Sequence, residues 1–208
     1  FLLHGDSKYI DCLERSLYNG VIDGMSIDGG KFFYPNPLAS DGVYRFNADN
    51  TLERQPWFGC ACCPSNLCRF IPSLPGYLYA VKDNNIYLNL FAGNKSTVDV
   101  NGRRVSLEEK TEYPWNGDIS ITVTDAKTSD FNMMVRIPGW VQNQVVPSDL
   151  YSYNDGKNLN YSISVNGESL KQETLDNGYF KIARKWKKGD KVDIHFDMQP
   201  RTVVANDK

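Results

Sequence analysis

Histidine is almost absent from this sequence: His4 and His195 are the only two in 208 residues. That scarcity excludes any site built on several imidazoles. A complete zinc shell needs about four ligands, and neither His4, beside Gly5, nor His195, inside Val192-Asp193-Ile194-His195-Phe196, has a second histidine at ligand spacing. His195 alternates with apolar neighbours and reads as an ordinary strand residue. Net charge is lacking too. With 23 basic and 25 acidic residues the formal charge is -2, which leaves no electrostatic footprint for nucleic acid. Arg184-Lys185 and Lys187-Lys188, around Trp186, read as a solvated turn. No apolar run approaches the roughly 20 residues that span a bilayer, so no membrane partner is expected, and no leader-like segment opens the chain. No internal repeat is present.

What the chain does have is a hydrophobic fraction of 41%, enough for a real core, and a local concentration of thiols. Of five cysteines, Cys60, Cys62 and Cys63 fall within four positions, in Cys60-Ala61-Cys62-Cys63-Pro64-Ser65-Asn66. Proline suits the first position of a helix, and Leu67, Phe70, Ile71 and Leu74 then recur at helical spacing. Cys62 and Cys63 are thereby expected at a helix start, where free N–H groups and the positive end of the macrodipole favour a thiolate. A thiolate is both nucleophile and metal ligand. An odd number of cysteines, clustered locally, is unlike the disulfide framework of a small secreted domain. Cys12, in an amphipathic helix, and Cys68, inside the helix after Pro64, read instead as small buried hydrophobes.

The rest of the pattern changes character once. Asp6 is a good N-cap, and Tyr9, Ile10, Leu13, Leu17, Val21 and Ile22 mark one face of a helix to about Gly24. Met25 to Tyr34 reads as a short hairpin about Asp28-Gly29-Gly30, ended by Pro35 and Pro37, and the stretch from Leu38 to Gly59 reads as loop. The helix from Pro64 is expected to end near Leu74, before Pro75-Gly76. After Gly76 the period becomes two. Strands are expected at 77–81, 86–91, 96–100, 104–113, 119–124, 133–137, 161–165, 179–185 and 191–196, with turns at Asn101-Gly102, Asn166-Gly167 and Gly189-Asp190, and with one long surface loop from Val145 to Asn160. The expected fold is mainly β: an antiparallel β-sandwich over 76–208, preceded by a short helical segment over 1–75 that carries the cysteine loop. Phe1–His4 reads as the last helical turn before Gly5 and the chain stops where a strand is starting, so a fragment of a longer protein is expected.

Other chemistry is thinner. Glu14, Asp41, Asp49 and Glu53 could supply paired carboxylates, but each sits on an exposed-looking helix face or turn. Of the aromatics near the cysteines, Phe32, Phe33, Trp57 and Phe58 read as core. Tyr34, beside Pro35-Asn36-Pro37, reads as an exposed tip able to meet a sugar.

Trp57-Phe58-Gly59-Cys60-Ala61-Cys62-Cys63-Pro64-Ser65-Asn66, preceded by Tyr18-Asn19-Gly20 and Phe33-Tyr34-Pro35-Asn36-Pro37-Leu38, resembles the β-L-arabinofuranosidase family of glycoside hydrolases. Arg136-Ile137-Pro138-Gly139-Trp140, Val165-Asn166-Gly167 and Trp186-Lys187-Lys188-Gly189-Asp190 resemble the β domain that follows in that family, in the same order. The resemblance implies a retaining glycosidase with an (α/α)6 barrel, of which 1–75 would be the tail. It further implies a zinc cofactor, Cys62 as nucleophile and zinc ligand, Cys63 as zinc ligand, and Tyr34 as a substrate contact. The family's other zinc ligands, a glutamate and a cysteine, and its general acid and base lie upstream of the residues present here. The implied partners are a carbohydrate substrate and the missing N-terminal barrel, the expected compartment is the bacterial periplasm or cytoplasm, and the chain alone is expected to be inactive.

Two readings of other kinds stand beside this one. The sandwich could be a non-catalytic module that binds carbohydrate or braces the barrel, and the cysteine cluster could be a zinc or redox module. Helix faces built for absent neighbours, carrying Leu13, Leu17, Val21 and Leu74, predict a homodimer or docking onto the sandwich.

Overall fold

The structure, a computed structural model, describes residues 1–37, 39–128, 130–157, 159–171 and 174–207; Leu38 of the proline motif lies outside them. The chain forms two compact units, one of Phe1–Cys12 with Tyr77–Lys208 and one of Leu13–Gly76.

The larger unit is the mainly β, sandwich-like part. Strands β1 (Tyr79–Lys82), β2 (Asn85–Leu88), β6 (Asp130–Arg136) and β10 (Tyr179–Lys185) make a four-stranded sheet in the order β1-β2-β6-β10. Strands β3 (Asn94–Val100), β4 (Arg103–Thr111), β5 (Asp118–Ala126), β11 (Lys191–Phe196), β8 (Tyr161–Val165) and β9 (Glu168–Leu170) make a six-stranded sheet in that order. All pairs are antiparallel except β2 with β6, because the chain leaves the first sheet after β2, builds β3 to β5 in the second, and returns. A parallel neighbour requires such a crossover.

Alternation along the strands sends Ile86, Leu88, Phe131, Met133, Val135, Phe180 and Ile182 of one sheet, and Val105, Leu107, Ile119, Ile121, Val123, Val192 and Ile194 of the other, into one buried cluster. Trp186 is stacked on Phe131 and its indole N–H donates to the Phe131 carbonyl at 2.9 Å, which satisfies the polar edge of a buried aromatic. The turns fall where expected. Asn101-Gly102 and Asn166-Gly167 both take positive φ at both residues, the geometry of a two-residue hairpin turn. Asn166 reaches further: it donates to Asp190 Oδ1 at 2.9 Å and accepts the N–H of Lys191 at 2.9 Å. Asp190 in turn accepts the N–H of Lys187 at 2.8 Å, so two separate motifs of the sequence close into one knot.

Three expectations change here. The long loop from Val145 to Asn160 contains a strand, β7 (Tyr151–Tyr153), paired with the C-terminal β12 (Val203–Ala205). Arg201 holds this pair, with its guanidinium on Asp155 at 2.6 Å and 3.6 Å above the Tyr153 ring, contacts too distant in sequence for a periodicity to report. Pro75-Gly76 does not stop the helical run: Pro75–Leu78 form a short helix, α3, and β1 begins at Tyr79 rather than Tyr77. Proline is tolerated there because it opens the new turn.

Residues Phe1–Cys12 belong with the sandwich through specific contacts. Gly5 takes φ +67 after a turn closed on the Phe1 carbonyl, and Asp6 Oδ1 accepts the N–H of Lys8 at 2.9 Å, capping helix α1 (Lys8–Ser16). The Ser7 N–H donates to the Asn177 carbonyl at 2.9 Å. Asp11 Oδ1 meets Arg136 Nη1 at 2.6 Å, and the Arg136 side chain is 0% exposed.

Candidate active site around Cys62

In the second unit the helix after the cysteine loop begins earlier than the proline suggested. Helix α2 runs Cys62–Phe70, with Ala61 as its N-cap. Pro64 therefore sits third, where its missing N–H would still have lacked an intrahelical partner. Cys62 and Cys63 are the first two residues of the helix, and the helical path continues through Ile71–Ser73.

The hairpin delivers a phenol to this point. Met25 pairs with Phe32, and Phe32 pairs in turn with Gln55 through two backbone hydrogen bonds of 2.8 and 2.9 Å. The segment before Tyr34 is thus tied to the one that leads into Trp57 and Phe58. The Tyr34 N–H donates to Asn47 Oδ1 at 2.8 Å, and Asn47 Nδ2 donates to the Glu53 carbonyl at 2.8 Å. Asn47 is 4% exposed, so one buried amide fixes both the tyrosine and the loop toward the cysteines. The Tyr34 ring packs against Phe58 at 5.4 Å, and its hydroxyl lies 2.5 Å from Cys62 Sγ.

The electrostatics separate the two adjacent thiols. Cys62 is held below the ordinary thiol range, first by the hydrogen bond from Tyr34, then, against the cost of burial, by the Cys60 thiol and the N–H groups of Cys62 and Cys63 at the helix start. Cys63 is pushed up by burial and by the charge on Cys62. The bond with Cys62 raises Tyr34, a direction that favours the phenol as donor and the sulfur as acceptor. One thiol ionises readily while its neighbour keeps its proton. That is the arrangement of an activated nucleophile.

The structure brings Tyr34, Cys60, Cys62 and Cys63 together. Glu53 engages through its backbone carbonyl, and Asp41 folds onto the N–H groups of Val43 and Tyr44 at 2.8 Å each. Glu14, which looked exposed, is buried at 6%. Cys12 and Cys68, expected to be buried, are exposed; the buried positions of their helices are Ile10 and Glu14 in α1 and Pro64 in α2. Phe32 and Phe58 are core, as expected, but Trp57 is 53% exposed. Among the residues carrying the site, Asn47 escaped the sequence reading because Asn47-Ala48-Asp49-Asn50 looks like plain turn chemistry. Arg54 escaped it too; it donates to the Asp23 carbonyl and lies 4.2 Å above Phe33.

Among the described residues no group of three or more His, Cys, Asp or Glu side chains is gathered to hold a metal ion. The adjacent thiols Cys62 and Cys63 would fill two positions of a tetrahedral shell, and an acidic thiol is the donor zinc prefers; the residues present fit half of such a site.

Fold and site together define a two-part protein, a β-sandwich joined to a helical segment that presents an acidic thiol beside a phenol. Family models match both parts: residues 1–76 match the GH127 β-L-arabinofuranosidase catalytic domain, and residues 85–198 match the GH127 middle domain. The chain belongs to the GH127 β-L-arabinofuranosidase family. It is 29% identical, over 99% of its length, to a non-reducing end β-L-arabinofuranosidase of Bifidobacterium longum, of which it covers 30%. Its fold is similar to a solved GH127 β-arabinofuranosidase at TM-score 0.91, with 56% identity over the whole chain and 31% of that structure. It is also similar to a GH127 β-L-arabinofuranosidase from Geobacillus stearothermophilus T6 at TM-score 0.76, with 35% identity over 95% of this chain and 29% of that one. The chain thus spans about 30% of the length of these relatives.

Proposed function

We propose that this chain carries the nucleophile of a retaining glycoside hydrolase acting on β-L-arabinofuranosides. The carrying observation is the hydroxyl of Tyr34 at 2.5 Å from Cys62 Sγ, at the first position of α2. Cys62 attacks the anomeric carbon as a thiolate, the glycosidic oxygen leaves with a proton, and water then displaces the sulfur. Splitting the substitution in two is what nucleophilic catalysis provides. Tyr34 donates to the sulfur before attack and, in this reading, contacts the sugar as it arrives. Cys62 and Cys63 would hold zinc, which supplies deprotonation of the bound thiols. We assign residues 1–75 to the tail of the family's helical barrel.

Among the described residues, the groups that set the ionisation of Tyr34 and Cys62 are each other, the Cys60 thiol and backbone N–H groups, and a leaving alkoxide needs a proton donor. The chain alone is therefore expected to release no L-arabinose from a β-L-arabinofuranoside, as read by reducing-sugar chromatography; turnover by the wild-type chain that disappears in Cys62→Ala would overturn its incompleteness.

A second expectation concerns the sulfur itself. In chelator-treated protein near pH 7, iodoacetamide should modify Cys62 ahead of Cys12 and Cys68, which are also exposed. Tyr34→Phe removes the donor that favours the thiolate and should slow that modification. Peptide mapping by mass spectrometry reads both. Equal labelling of the thiols, or no change in Tyr34→Phe, would remove Tyr34 from the site.

A further inference from the structure

The cysteine cluster offers three pairings of thiols, and the structure distinguishes them. Spacing along the chain favours Cys60 with Cys63, the Cys-x-x-Cys arrangement of a dithiol at a helix start. The contacts favour a different pair. The Cys60 side chain bonds to both Cys62 and the Tyr34 hydroxyl, and that same hydroxyl lies 2.5 Å from Cys62 Sγ. Two thiols share one phenol. Cys63 bonds to Cys62, whereas Cys60 acts on it only through charge.

The backbone explains this choice. Ala61, between Cys60 and Cys62, takes φ -101 and ψ 49, close to the bend of an inverse γ-turn. Such a bend draws together the residues on either side of it, where an extended residue would hold them apart. Cys62 and Cys63 then open α2, in which successive side chains point about 100° apart, so Cys63 leaves the helix on another side. A bridge between Cys62 and Cys63 would close a strained ring. Both Cys60 and Cys62 are exposed free thiols, open to a small oxidant, and neither attack on a sugar nor the two zinc positions given to Cys62 and Cys63 uses Cys60.

We propose that Cys60 is the resolving thiol of Cys62, and that a peroxide converts the two into a reversible disulfide. The Cys62 sulfur attacks one peroxide oxygen, the O–O bond breaks, and the departing oxygen leaves as water with the thiol proton, so that Cys62 becomes a sulfenic acid. The Cys60 sulfur then attacks the Cys62 sulfur, and the sulfenic hydroxyl leaves as a second water with the Cys60 proton. Two thiols and one hydrogen peroxide give one disulfide and two waters; the sulfurs are oxidised and the peroxide is reduced. Exposed bridges in small rings are the ones that thiols reduce readily. Without a neighbour, a sulfenic acid proceeds to the sulfinic acid, which thiols do not reverse. Cys60 thus diverts Cys62 from permanent loss. The bridge forms whether or not Cys62 is a nucleophile toward sugars; that it also halts hydrolysis in a parent enzyme rests on that reading.

The test treats the chelator-stripped 208-residue chain with stoichiometric hydrogen peroxide, then alkylates it with iodoacetamide before and after dithiothreitol and reads intact and peptide masses. Two of the five thiols should become unavailable, the peptide holding Cys60 and Cys62 should lose two hydrogens, and dithiothreitol should restore both thiols. Cys63→Ser should bridge like wild type. Cys60→Ser, changed at an exposed position, should form no bridge and should accumulate Cys62 sulfinic acid that dithiothreitol leaves in place. A bridge that survives in Cys60→Ser or disappears in Cys63→Ser overturns the proposal by assigning another pair. Disulfide-linked dimers as the main product, or five thiols still free after peroxide, overturn it as well. The readout is the mass at sulfur and not sugar release, so failure of the bridge and failure of the nucleophile reading are separate results.

Discussion

Asp11→Ala should destabilise the sandwich unit by about 3–5 kcal/mol, the usual cost of breaking a buried ion pair by removing one partner. Arg136 has no solvent to turn to: its side chain is 0% exposed, its Nε donates to the Asn89 carbonyl at 2.6 Å, and Nη1 donates to Asp11 at 2.6 Å. Phe91 stands against the guanidinium at 5.5 Å. Removing the carboxylate takes a charged partner away from a buried cation. Urea unfolding of wild type and variant measures the difference. The double variant Asp11→Ala, Arg136→Met should recover most of the loss, since an apolar side chain of similar length removes the charge that needed a partner. A single variant within 1 kcal/mol of wild type, against the roughly 3 kcal/mol minimum of such cases, would show that Arg136 finds another anion.

Glu109→Gln should make the protein's stability less sensitive to pH between 4.5 and 7. Glu109 is 2% exposed, with Oε1 accepting the Ala92 N–H at 3.1 Å and Oε2 accepting the Tyr79 hydroxyl at 2.9 Å. Burial outweighs those bonds and pushes its carboxyl up to about 7 from 4.5; the same burial, with the carboxylate alongside, raises Tyr79. The folded form thus holds its proton where the unfolded chain has lost it. Its contribution is fully present below pH 4.5 and is lost as pH rises to 7. The total is roughly 3 kcal/mol, at about 1.4 kcal/mol per pKa unit. Glutamine imitates the protonated acid, so the variant should equal wild type at acid pH and exceed it by up to that amount at pH 8, measured by thermal or urea unfolding across pH. Parallel curves for the two proteins would mean that the carboxylate ionises without cost.

Why some of this could be read from the sequence follows from the range of each interaction. Strands 161–165, 179–185 and 191–196 were legible to the residue because alternation and an Asn-Gly or Gly-Asp turn are both local signals. Helix α2 was legible in kind but not in its first residue, since Pro64 fits any position of the first turn. The lowering at Cys62 was expected from the helix start, whose N–H groups contribute to it. Its main cause, Tyr34, was a candidate for a different reason, and nothing local predicts that Asn47, 13 residues on, holds the tyrosine's backbone. The β7 and β12 pair was illegible for the same reason: its strands are short and exposed, and the arginine that reinforces them lies 46 residues from Asp155. Glu109 looked like any charged strand residue until its partner Tyr79, 30 residues away, closed over it.

The division of the chain at Cys12 and Tyr77 bears on how the cysteine segment is held. The sandwich claims residues on both sides of it, through Asp11 on Arg136 before and through the Asn89 N–H on the Leu78 carbonyl, at 2.9 Å, after. In polymer terms Leu13–Gly76 is an insertion whose two ends are both held within the other unit. Loop closure, which otherwise costs entropy that grows with length, is met by a core that contains none of the site's own residues. A cut that keeps only 76–208 would remove the anchor on one side and take Asp11 from Arg136 at the same stroke.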